Sequence, residues 1–191
     1  MPPTDALLQA FTHMLSELEE YLLSPELFWP LSQRSSALPQ DRLTLGNLLL
    51  SLDQINAVRQ TWDGELEATF QKSFQLWEHS QARWQSAIEH KAGQEISSRM
   101  NLWRAYLSDL DEGQGAAFDY SREVRNRVII ERLFDLGLSR DPWEKELQRL
   151  DQLNRSLSIP GEFLWTKSLE SQYPPNPYWF LYQKPRSNNS R

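Results

Sequence analysis

The sequence predicts a mainly α fold: a bundle of about five helices, one of them long and central with a kink site at Gly93, then a C-terminal extended or β-hairpin segment. Three observations carry this prediction. Apolar residues recur every three or four positions through most of the chain up to residue 158. Glycine is scarce, seven in 191 residues, so few left-handed turns interrupt long elements. Beyond residue 158 the helical period disappears, and prolines and short aromatic runs take its place. The expected organisation is a helical bundle over residues 1–158, an aromatic, proline-rich arm over 159–185 packed on the bundle or on a partner, and a disordered tail over 186–191.

The first helix is expected over residues 5–23. Thr4 offers a capping hydroxyl, Asp5 suits the positive helix end, and Leu7, Leu8, Phe11, Leu15, Leu18 and Leu22 share one face. Ser24-Pro25-Glu26 reads as a restart, with Ser24 capping a short helical turn that Pro30 ends. Polar residues 32–40 form the clearest internal loop. Asp41 or Thr44 starts the second helix, which turns Leu45, Leu48, Leu49, Leu52, Ile55 and Val58 to one side. Asp63 and Gly64 mark its break from the next element, Asp63 as a cap and Gly64 as a weak helix former.

The strongest period follows. Leu66, Phe70, Phe74, Trp77, Trp84, Ile88, Ala92, Ile96, Met100, Trp103, Leu107 and Leu110 fall on one stripe at about 3.67 residues per turn, the pitch of a straight helix. Unbroken, that helix would be roughly 66 Å long, against a diameter of about 42 Å for a compact chain of this size. It therefore either breaks near Gly93 or overhangs and is covered by a second subunit. The stripe resumes in phase at Ile96 with no room for a loop, which favours continuity. A turn at 111–115 and a helix marked by Phe118, Val124, Val128, Ile129, Leu133 and Leu136 come next, ending at Gly137. Asp141-Pro142-Trp143-Glu144 has the form of a capped start, followed by Leu147, Leu150, Leu153 and Leu157. In the arm, Tyr178-Trp179-Phe180-Leu181-Tyr182 has strand-like composition, apolar on both faces if extended.

Composition removes whole classes of chemistry. Without cysteine there is no disulfide, thiolate or Cys-ligated metal, and the chain suits a cytoplasmic setting. A net charge of −6 argues against nucleic acid as a partner, and no apolar run is long enough for a membrane span. The start, Met1-Pro2-Pro3-Thr4-Asp5, lacks the basic residues of a signal peptide. His79 and His90 lie off the apolar stripe and about 16 Å apart along a helix, too far to share an ion. No nucleophile elbow, phosphate loop or dinucleotide fingerprint occurs, and Asp109-Leu110-Asp111-Glu112-Gly113 fails the calcium-loop pattern at its sixth and twelfth positions. No cofactor, metal or catalytic residue is expected.

Three features remain. Eight tryptophans are many; core packing accounts for most such rings, but Trp and Tyr are also enriched at interfaces. Trp77, Trp84, Trp103, Tyr106, Tyr178, Trp179 and Tyr182 are therefore the candidate pocket or interface residues, with His13, Arg104 and Tyr106 as polar anchors. Arg122, Arg125 and Arg132 are candidate contacts to an anion or an acidic partner, although intrahelical pairs such as Arg127–Glu131 at i, i+4 account for most of the cluster. The function expected is that of a non-enzymatic protein-interaction or self-associating module, with a protein partner or a second copy of the chain. The alternative is a small-molecule binding protein or enzyme with an aromatic-lined pocket between helices.

Overall fold

The computed structural model describes residues 4–32, 42–114 and 119–186. It is mainly helical, with one long helix and a C-terminal β-hairpin, in agreement with the fold class read from the sequence. The chain divides into two units, Met1–Glu95 and Ile96–Arg191.

In the first unit, α1 (Thr4–Ser16) and α2 (Leu18–Leu23) occupy the stretch expected as one helix. The break falls at Glu17, at φ −102° and ψ 1°. Residues 24–28 are bent rather than helical, which corrects the expected restart. The Ser24 hydroxyl instead accepts from the Glu26 N–H at 3.2 Å, forming a serine turn. Pro30 ends no helix either: Trp29–Pro30 (β1) pairs antiparallel with Arg42–Leu43 (β2). The cap expected of the Thr4 side chain, the loop residues 33–41 and the alternative start at Asp41 lie outside the described residues.

α3 (Leu45–Val58) begins where Thr44 predicts, its hydroxyl accepting from the Asn47 N–H at 3.1 Å. All six expected face residues are buried. Asp63 caps α4 (Gly64–Arg83) by accepting from the Leu66 N–H at 2.9 Å. α1 packs on both α3 and α4, with Phe70 at the centre. Its ring lies 6.4 Å from Phe11 and 5.9 Å from Trp62, and the Arg59 guanidinium sits 4.6 Å above it.

The long stripe breaks at Trp84 and not at Gly93. α4 stops at Arg83, and α5 (Gln85–Asp111) then runs unbroken for 27 residues, about 40 Å. Trp84 takes φ −114° and ψ 26°, a conformation open to any L-residue, so no glycine announces the break. The α5 positions of the stripe, from Ile88 to Leu110, are buried within this chain. Two charged residues of α5 tie down the first unit. Lys91 donates to the carbonyls of Ser24 at 2.9 Å and Glu26 at 2.6 Å, under the face of Tyr21. Glu95 accepts from the Gly46 N–H at 3.0 Å, in the first turn of α3.

The second unit holds residues 96–111 of α5, then α6 (Tyr120–Phe134) and α7 (Glu144–Leu157). The helices are joined by polar bonds. Arg99 donates to Asn126 at 3.3 Å, Arg104 to Glu146 at 2.8 Å and Trp143 to Ser97 at 3.1 Å. Gly137 takes φ 92° beyond α6, in space a side chain could fill, so its conformation alone favours glycine. The expected Asp141 cap is absent: α7 starts later, at Glu144, and the Asp141 carboxylate accepts from the Ser139 hydroxyl at 2.9 Å instead. Phe118, Gly115 and the tail residues 187–191 lie outside the described residues.

The hairpin pairs Ser158–Pro160 (β3) with Gln183–Pro185 (β4), Ile159 opposite Lys184. It does not include the aromatic run. Pro175–Tyr178 (α8) is a kinked turn in which Asn176 is extended at φ −118° and ψ 114°, and Trp179–Tyr182 is a 3₁₀ turn, which corrects the strand-like reading of residues 178–182. No helix among the described residues is long and apolar enough to cross a membrane.

Candidate functional site

Two side-chain clusters have the density of polar and aromatic groups that a site requires. The first surrounds Glu17. Its carboxylate accepts from Trp29 Nε1 at 2.7 Å, from the Ser32 N–H at 3.0 Å and from Ser32 Oγ at 2.6 Å. His13 Nε2 lies 3.1 Å from the same oxygen that Ser32 uses. Burial alone would raise the Glu17 pKa, but the bonds from Ser32 and Trp29 and the charge of His13 outweigh it and hold the carboxyl below its usual range. Serine, histidine and glutamate together suggest a nucleophile relay, yet the connectivity is wrong. A relay places the carboxylate on one ring nitrogen and the hydroxyl on the other. Here Ser32 and Glu17 both face Nε2, at 3.4 and 3.1 Å, and Ser32 donates directly to Glu17. The cluster is a clamp that fastens residues 29–32 to the α1–α2 break. Sequence reasoning singled out His13 and missed Glu17, Trp29 and Ser32. The i, i+4 spacing of His13 and Glu17 was the one local signal.

The second cluster lies where α6 and α7 meet the C-terminal segment. Tyr120 donates to the Phe180 carbonyl at 3.0 Å and accepts from Asn154 Nδ2 at 3.0 Å. Arg127 is 4% exposed. It grips Asp151 with two bonds of 2.9 and 3.0 Å, donates to Glu131 at 2.9 Å, and lies 4.5 Å beneath the Phe180 ring. Arg140 also bonds Glu131. Trp165 Nε1 donates to the Ser121 carbonyl at 2.9 Å, and the Arg155 guanidinium rests 3.5 Å from the Trp179 ring. These contacts seat residues 163–182 on their own unit.

The predicted residues fall into separate places. Trp77 is buried in the first unit, and Trp84 is half-buried at the α4–α5 break with Arg83 5.0 Å over its ring. Trp103 and Tyr106 are brought together in the second unit, stacked at 5.7 Å and each about 6 Å from Tyr120. Trp103 Nε1 and the Tyr106 hydroxyl are buried without a hydrogen-bond partner among the described residues. Burial, then the charges of Asp119 and Glu123, push the Tyr106 hydroxyl up to about 12. Tyr178 packs edge-to-face on Tyr173 at 5.0 Å, and Tyr182 donates to the Tyr173 carbonyl at 2.9 Å. Among the arginines, Arg122 is exposed and bonded to Asp119 and Glu123, Arg132 is bonded to Asp135, and Arg125 is half-buried.

One surface stands out from this packing. Pro174, Pro175, Asn176 and Pro177 are all exposed, between the buried rings of Tyr173 and Tyr178. The Tyr178 N–H closes the loop on the Pro174 carbonyl at 3.2 Å. The result is an uncharged proline knuckle with both feet fixed. No group of three or more metal-ligating side chains gathers among the described residues. Comparison with known proteins finds no matching family model and no significantly similar curated protein or solved structure.

Proposed function

We propose that the chain is a non-enzymatic protein-interaction module and that the proline knuckle at residues 174–177 is its contact element. The observation that carries this reading is the knuckle itself: four consecutive exposed residues, three of them proline, held between two buried tyrosines. A surface fixed before binding loses little conformational entropy when it docks, so modest contact area yields useful affinity. The buried stripe of α5 offers no comparable surface for self-association.

The test compares the wild-type chain with Pro175→Glu, which sets a charge on the exposed knuckle and leaves Tyr173 and Tyr178 in place. With equal thermal stability of the two, the variant loses a protein that the wild type retains on an affinity support, or loses concentration-dependent self-association in sedimentation. Identical retention and identical sedimentation by two equally folded chains would overturn the proposal. A second reading, a small-molecule site, draws on the Trp103 N–H and Tyr106 hydroxyl, which have no hydrogen-bond partner among the described residues. It expects a metabolite set to raise the melting temperature of the wild type but not of Tyr106→Phe.

A further inference from the structure

We draw no further inference here: the strongest candidate, the groove between α1 and α4 lined by Leu8, Thr12, His13 and Leu66, carries nothing because nothing in the structure shows what covers it.

Discussion

Arg127 and Tyr106 are both buried polar residues of the second unit, and their surroundings predict opposite responses to substitution. The Arg127 guanidinium has bonds to Asp151 and Glu131 and an aromatic face above it, so its desolvation is offset on every side. Removing it takes a cationic partner from two carboxylates. Arg127→Met is expected to cost about 3 kcal/mol in a urea titration, the lower end for a broken buried pair, because Arg140 still serves Glu131 and Asp151 is partly exposed. Arg127→Lys recovers only part of the loss, since an ammonium cannot make the two parallel bonds to Asp151. Tyr106 is the converse case. Its hydroxyl is buried without a hydrogen-bond partner among the described residues, so Tyr106→Phe removes an uncompensated polar atom and keeps the ring stacked on Trp103. Stability is expected to stay level or to rise by up to ~1 kcal/mol. A loss above ~1 kcal/mol would mean that the hydroxyl is paired in solution.

The elements that could be read from the sequence are those whose cause is local. Thr44 and Asp63 cap α3 and α4 as their positions foretell, because a cap needs only residues two or three places away. The Arg127–Glu131 pair is equally local. The breaks at Glu17 and Trp84 were hidden, since neither residue is a helix breaker. At Glu17 the partners lie 12 and 15 residues downstream, on a segment whose return to α1 no periodicity encodes. The aromatic run 178–182 misled for a related reason. Alternation suggested a strand, but Tyr120, Arg127 and Arg155 on α6 and α7 seat it as a turn. Of the second cluster, Trp179 was legible as a candidate and Phe180 and Trp165 as parts of an aromatic arm; Tyr120 and the knuckle's exposure were not, because both are settled by which rings fold inward. The Glu17 clamp yields a prediction at this scale. Glu17→Gln keeps the shape but weakens the bonds from Trp29 and Ser32 by removing the charge, at an expected cost of about 1–2 kcal/mol. Amide hydrogen exchange at Ser32 should quicken in step. Unchanged exchange there would show that the clamp does not hold the segment.

Across the whole molecule, shifted ionisable groups should bound stability on both sides of neutrality. Glu17, Glu131 and Glu146 are held below the ordinary carboxyl value. At Glu131 burial is outweighed by Arg140 and Arg127; at Glu146 the bonds from Arg149 and Arg104 bring the pKa to about 2. The unfolded chain therefore takes up protons first as pH falls below about 4.5, and stability declines from there toward about pH 2. At the alkaline end burial raises Tyr106, Tyr120 and Tyr182. Unfolded tyrosines ionise from about pH 10 while Tyr106 resists until about 12, so stability is lost across that interval. Lys91 works in the other sense, since burial lowers its pKa and the folded state holds its ammonium less readily than water does; one lysine against three tyrosines leaves a net alkaline decline. Urea midpoints measured from pH 2 to pH 12 should trace a plateau between about pH 5 and 10 with a fall on each side. Glu17→Gln should shorten the acid limb and leave the alkaline one, and Tyr106→Phe should do the reverse. An acid limb of wild-type depth in Glu17→Gln would mean that the clamp carboxyl titrates alike in the folded and unfolded chain, with the bonds from Trp29 and Ser32 only balancing the cost of its burial.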